Sequence, residues 1–253
     1  MPVFAPLTVL ILGGTREAYA LASVLAGRPD IRVISSLVGR TARPRLPQGE
    51  VRIGGFGGED GLAAYLREHG VRAVIDATHP FAARIGWNAA AACGKVAVPL
   101  IRLERPAWRP VDGDDWIEID DWHDAAAILD KRARRVLLAL GRQELAPFSG
   151  LDDIWFLIRS VEAPRPMPPF RRAEIILARG PFSVTDERNL LRSRRIDTIV
   201  CKNSGGQATD AKLAAARELG VRVVIRRRPT RPDLPIAIST DEALAWLRSV
   251  TDR

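Results

Sequence analysis

Apolar residues fall into two kinds of run along this chain, and the two alternate. Continuous runs such as Leu7 to Leu12 (LTVLIL), Ile31 to Leu37 and Val71 to Ala77 are too evenly apolar for a strand with one wet face. They predict strands buried on both faces of a parallel sheet. Between them, Ala18, Leu21, Ala22 and Leu25 recur at helical spacing, and Glu59 to His69 and Thr78 to Cys93 follow the later strands as helices. Gly70 is placed as the left-handed cap that ends the second helix, and Thr78 (N-cap) with Pro80 (first turn) open the third. Val51 to Gly58 reads as a short strand running into glycines, and Pro99 to Leu103 as a further strand. The proline-rich, acidic stretch Glu104 to Trp116 then marks a boundary, giving expected domains of residues 1–112 and 113–253.

The second half repeats the alternation. Val136 to Leu140, Ile154 to Ser160, Glu174 to Leu177, Asp197 to Cys201 and Val221 to Arg226 read as strands, with helices starting near Trp122, Val184, Asp210 and Asp241. Ser183 with Asp186, and Ser239 with Glu242, have capping-box spacing. Alternating strand and helix implies an α/β fold with mainly parallel sheets and right-handed crossovers.

Composition narrows the class. With 253 residues, 47% hydrophobic and 27% charged, the chain can hold one large or two small α/β domains. No apolar run reaches the roughly 18 residues of a membrane span, and Met1 to Pro6 lacks the pattern of a signal peptide, so a cytoplasmic location is expected. Cys93 and Cys201 are isolated and read as small buried hydrophobes. His69, His79 and His123 are not spaced as ligands, and no metal is expected. Charge is uneven: residues 1–130 carry 14 Lys/Arg against 16 Asp/Glu, and 131–253 carry 24 against 14, within an overall +8. The second half is therefore expected to meet an anion, a polycarboxylate or phosphate. The clusters Lys131 to Arg135, Arg192 to Arg195 and Arg226 to Arg231 sit at predicted element edges without interleaved aromatics, which argues against nucleic acid.

Candidate chemistry gathers at strand ends. After the first strand, Gly13 and Gly14 permit a tight turn and close approach of backbone to a ligand, and the following helix would aim its N-terminus at a phosphate. The G-x-G-x-x-G pattern is incomplete, so Ala18 must serve as the third close-packing residue. The second strand ends in Ser35 and Ser36 and continues to Arg40, Thr41 and Arg43, with no carboxylate for a ribose 2′-hydroxyl. Ser36, Arg40, Thr41 and Arg43 suit a 2′-phosphate instead, favouring NADP over NAD, the alternative being a solvated basic loop. Glycines at 54, 55, 57 and 58 suggest another close approach or a flexible turn. Asp76, Thr78 and His79 cluster at the carboxyl end of their strand, where open α/β sheets hold ligands; His79 fits a cofactor hydrogen bond or a capped turn equally well. In the second half Arg142, Arg159, Arg179 and Lys202 collect at one expected sheet edge. No Tyr-x-x-x-Lys pair of a short-chain dehydrogenase and no P-loop occurs.

At GGTREA (13–18), SLVGRT (36–41), GGFGG (54–58), DATHPFAA (76–83), PLIRLERPAW (99–108), GRQELAPF (141–148), ARGPF (178–182) and KNSGG (202–206) the sequence resembles the precorrin-6A reductases of corrin-ring synthesis. The resemblance implies two Rossmann-like domains facing each other across a cleft that holds NADPH, and reduction of one double bond of precorrin-6A to give precorrin-6B. A related cobalt-containing substrate serves the anaerobic branch. Carried over by motif, Gly13, Gly14, Thr15, Ser36, Arg40 and Thr41 would hold the cofactor phosphates, and Gly54, Gly55, Thr78 and His79 would lie near the nicotinamide. Arg142, Arg159, Arg179, Lys202, Asn203 and Ser204 would face the polycarboxylate tetrapyrrole. Asp76, His79 or water would supply the proton that completes the reduction. Neighbouring enzymes of the corrin pathway are candidate partners. The competing readings are a non-catalytic NADP-sensing or tetrapyrrole-binding protein, and a cofactor-free tetrapyrrole enzyme.

Overall fold

The computed structural model describes residues 6–39, 46–207 and 209–251. Its strands are β1 (Leu7–Leu12), β2 (Ile31–Leu37), β3 (Glu50–Ile53), β4 (Val71–Asp76), β5 (Leu100–Leu103), β6 (Trp116–Ile119), β7 (Arg135–Ala139), β8 (Trp155–Ser160), β9 (Ala173–Leu177), β10 (Thr198–Lys202), β11 (Arg222–Arg226) and β12 (Ile236–Ala237). The helices are α1 (Arg16–Ala26), α2 (Glu59–Glu68), α3 (Ala83–Val96), α4 (Trp122–Arg132), α5 (Val184–Ser193), α6 (Ala211–Leu219) and α7 (Thr240–Thr251). The chain divides into two compact units, residues 1–106 with 229–253, and residues 107–228.

Each unit is built on a six-stranded sheet in which every pairing is parallel. The first runs β3-β2-β1-β4-β5-β12 and the second β9-β8-β7-β10-β11-β6. The first follows the doubly wound order 3-2-1-4-5-6, and β7 to β11 of the second keep the same 3-2-1-4-5 arrangement, so the two α/β halves expected from the pattern are present. What differs is the source of the sixth strand. The first unit takes it from the C-terminus of the chain, and the second from the segment that precedes its own first strand.

Burial follows from strand alternation. Val9 and Ile11 point to the face covered by α1 and α7, where Leu21, Leu25, Ala243 and Leu247 close the core. Leu10 and Leu12 point to the opposite face against Leu62 and Leu66 of α2 and Ala89 of α3. Every residue of β1 after Leu7 is buried, which explains why Thr8 alone interrupts its apolar run. Each of the valine, leucine and isoleucine side chains there contributes roughly 1.5–3 kcal/mol by leaving water. The second sheet is covered by α4 on one face and by α5 and α6 on the other. Cys93 and Cys201 are both buried and unpaired with each other, as small core residues.

Three expectations are corrected. The boundary expected at 112/113 lies near 106/107, and residues 229–253 belong to the first unit, not the second. The reason is the open edge of β5: the amides of Arg102 and Glu104 donate to the carbonyls of Pro235 and Ala237 at 2.9 Å. A two-residue strand carries no period in the sequence, and so it went unpredicted; the four-residue β6, hidden in the acidic stretch, was also unpredicted. The third helix starts at Ala83, since the Thr78 amide and hydroxyl both donate back to Asp76 Oδ1, at 3.1 and 2.6 Å. Thr78 is therefore spent on a local turn and caps no helix. Other signals hold: the Asp186 amide donates to Ser183 Oγ, the Glu242 amide donates to Ser239 Oγ, and Gly70 has φ +60°.

Candidate functional site

In the first unit, the carboxyl ends of β1 and β4 lie side by side at the point where strand order reverses. Open α/β sheets leave their ligand crevice at this position. Gly14 has φ +112°, a value that L side chains rarely adopt, and no atom lies within 4 Å of where its Cβ would stand. Thr15 caps α1 by accepting from the Ala18 amide (3.2 Å), while its hydroxyl donates to the Ala77 carbonyl (2.7 Å). One buried side chain thus starts the helix and ties the β1 turn to the end of β4. Gly13 donates to the Ser36 carbonyl (2.9 Å), and a Cβ on Gly13 would lie 3.6 Å from that of Ala18, so Ala18 does pack close against the turn.

The neighbouring strand ends complete this edge. Ser36 is buried on β2, while Val38 and Gly39 are exposed; Arg40, Thr41 and Arg43 lie outside the described residues. The Gly54 amide donates to the Leu37 carbonyl (2.8 Å). Nothing lies within 4 Å of a Cβ built on Gly54, Gly55, Gly57 or Gly58. The loop is nonetheless held. Arg52 donates to the carbonyls of Gly54 (2.6 Å) and Gly55 (2.8 Å), and its guanidinium lies 3.9 Å from the Phe56 ring centroid. Gly61 is required for a different reason, since a Cβ there would stand 1.8 Å from the Phe56 carbonyl oxygen.

At the end of β4, Asp76 is fully buried and ion-paired with Arg231, from the segment that leads into β12. Its other oxygen accepts the two Thr78 bonds, so the carboxylate is engaged on both sides. His79 is half-buried, and its Nδ1 accepts from the Phe81 amide (3.2 Å), which leaves the ring proton on Nε2. Arg102 and Glu104 lie beneath this turn; burial and the nearby Arg231 charge push the Arg102 pKa down. Cys93 is pushed up to about 12 by burial, with Asp76 adding to the effect, which leaves it a neutral thiol.

In the second unit the ends of β7, β8, β9 and β10 carry Arg142, Arg159, Arg179 and Lys202, as the parallel topology requires. Three of these cations have carboxylate partners that the charge pattern did not reveal. Arg142 donates to Glu162 (2.9 Å), Lys202 pairs with Glu144, and Arg159 pairs with Glu187 while lying against the Phe182 ring. Arg179 is exposed, with no acidic side chain in ion-pair range among the described residues. Asn203 uses both ends of its amide on the Trp108 backbone, accepting from its N–H (2.8 Å) and donating to its carbonyl (2.9 Å). Ser204 is half-buried, and its carbonyl accepts from Arg228 (3.2 Å). Burial also lowers the pKa of Lys212, which lies 4.3 Å from the Trp108 ring.

The sequence reading missed Arg52, Glu144 and Arg231, none of which has a local motif. Arg231 had been grouped with the basic stretch at an element edge, yet its side chain is only 5% exposed. Among the described residues no group of three or more His, Cys, Asp or Glu could hold a metal ion, and no helix is long and apolar enough to cross a membrane.

A family model described as precorrin-6x reductase CbiJ/CobK matches residues 8–248. A precorrin-6A reductase of Rhodococcus erythropolis is 50% identical over 249 residues, covering 97% of this chain and 99% of that protein. One from Sinorhizobium sp. is 49% identical over 236 residues, covering 93% and 90%. A solved structure named CobK precorrin-6A reductase superposes with a TM-score of 0.90 at 41% identity, covering 97% of both chains. This chain therefore belongs to the precorrin-6x reductase family and is an oxidoreductase.

Proposed function

We propose that this oxidoreductase reduces one double bond of precorrin-6A, giving precorrin-6B in cobalamin biosynthesis, and that its reductant is NADPH bound on the first unit. The observation that carries the cofactor reading is the Gly13–Gly14–Thr15 turn at the switch point between β1 and β4. Open ground lies above Gly14, and the α1 N-terminus is fixed by the Thr15 hydroxyl. These residues fit a dinucleotide pyrophosphate. The end of β2 offers Ser36 and no carboxylate before Gly39, which suits a 2′-phosphate better than a bare ribose. Arg40 and Thr41 are its proposed partners from the sequence.

NADPH, when bound, supplies the hydride. The protein's part is to bind, orient and exclude water. On this reading Gly54 and Gly55 allow close approach from the β3 side, and Thr78 and His79 present their polar groups from β4. His79 Nε2–H is the proposed hydrogen-bond donor near the reacting carbon, with water supplying the proton, because a neutral imidazole is too weak an acid to give one up. Asp76, buried and bound by Arg231 and Thr78, acts as an acceptor that shapes the turn. Arg142, Arg179, Lys202 and Ser204 are proposed for the carboxylate arms of the macrocycle, while Asn203, tied to the Trp108 backbone, holds the loop that carries them. Arg159, buried against Glu187, supports that edge from below. The cytoplasm is the proposed compartment.

The test is NADPH consumption by the purified chain with precorrin-6A, run beside NADH and beside the cobalt-containing substrate. Substrate-dependent loss of NADPH, faster than that of NADH, is the expected outcome. NADPH that binds without being consumed by either substrate would reject catalysis and leave a cofactor- or tetrapyrrole-binding protein.

A further inference from the structure

We propose that Arg231 is a positioning residue for the nicotinamide end of the site: a side chain remote in sequence fixes the Asp76–Pro80 turn. This rests on the reading of that turn as the nicotinamide side. Arg231 reaches the turn through both terminal nitrogens. One pairs with Asp76 and lies 3.5 Å from Thr78 Oγ1; the other donates to the carbonyls of His79 (3.3 Å) and Pro80 (3.4 Å) and stands 3.9 Å from Glu104. Four of the five residues from 76 to 80 are therefore held by one guanidinium, and a lysine, with a single nitrogen, could not reproduce the set.

The fold makes room for this side chain. On α3, a Cβ at Gly86 would stand 2.7 Å from a terminal nitrogen of Arg231 and 3.0 Å from its Nε. Charge is balanced as well, with Arg102 and Arg231 facing Asp76 and Glu104. An ion pair serving stability alone would need only the Asp76 contact. The bonds to Thr78 and to the backbone at 79 and 80 instead set where the Thr78 hydroxyl and the His79 ring project.

The test uses the full chain with Arg231→Lys and, separately, Gly86→Ala, which displaces the guanidinium while keeping every charge. Dissociation constants are measured for NADPH and for 2′,5′-ADP, which lacks the nicotinamide, together with kcat and KM for precorrin-6A. Both variants are expected to bind NADPH about ten-fold more weakly, to bind 2′,5′-ADP as the wild type does, and to lose about 10- to 100-fold in kcat. Folded variants with unchanged NADPH affinity and kcat, or with equal weakening for both nucleotides, would overturn the proposal. Should the wild type itself bind no NADPH, the cofactor reading fails, and that outcome is distinct from either variant result.

Discussion

Gly55 and Gly61 sit six residues apart and answer to different demands. Gly61 is squeezed by the Phe56 carbonyl, so Gly61→Ala should destabilise the first unit by about 1–3 kcal/mol in urea unfolding, the usual range for overpacking. Gly55 has open space around it and an ordinary φ, so Gly55→Ala should leave the unfolding midpoint unchanged and raise KM for NADPH. A midpoint that falls with Gly55→Ala would show that the loop's glycines serve the fold and not the ligand. Arg40 offers a second residue-scale test. If Arg40 holds the 2′-phosphate as proposed, losing that charge-assisted bond, worth about 1.5–3 kcal/mol, should cut the NADPH-over-NADH preference about 10- to 100-fold in Arg40→Ala. Cys93, with its thiol raised from 9.0 to about 12, should resist alkylation in the native state. Because the folded form keeps its proton while the unfolded form loses it, this thiol leaves stability unaffected below pH about 9 and erodes it between about 9 and 12. Urea unfolding of the wild type and Cys93→Ala across that interval checks the sign, since the wild type should lose more.

At the scale of elements, α1 and β4 are joined by Thr15. The cap is worth about 1 kcal/mol, and leaving the buried Ala77 carbonyl without its donor costs a further 1–3 kcal/mol or so. Thr15→Val keeps the shape and removes both bonds, so a loss of about 2–4 kcal/mol in urea unfolding is the expected outcome. Thr15→Ser, which restores the hydroxyl, should recover most of it. In the second unit the Arg159–Glu187 pair has side chains only 8% and 1% exposed. Breaking such a pair costs about 3–5 kcal/mol, so Arg159→Ala reports on folding. Arg179→Ala, at an exposed position, is the cleaner probe of substrate charge and should raise KM for precorrin-6A with little change in unfolding.

For the whole molecule, the return of residues 229–253 to the first unit has a direct consequence. Ala237, Ala243 and Leu247 close the core over β1 and β5, and Arg231 completes the Asp76 turn. A chain ending at residue 228 should therefore lose the first unit's cooperative thermal transition and its NADPH binding, while residues 107–228 expressed alone should fold on their own six-stranded sheet. Circular dichroism and heat unfolding of the two fragments decide this. An intact first-unit transition in the shortened chain would mean that β12 and α7 are appendages.

The sequence by itself determined the elements and their class. Short continuous apolar runs ending in glycines, such as β1, read as strands buried on both faces, and helical spacing, caps at Ser183 and Ser239, and the left-handed Gly70 placed most of the helices. The glycine turn at 13 and 14 and the family motifs were legible for the same reason, since each is written in neighbouring residues. Tertiary structure alone decided what depends on residues far apart in the chain. The two-residue β12 exists only because β5 leaves an edge to pair. Arg142, Arg159 and Lys202 read as a row of positive charge until Glu162, Glu187 and Glu144 were brought against them. Arg231 read as one more surface arginine, because burial and partners 150 residues away leave no local pattern for a sequence to display.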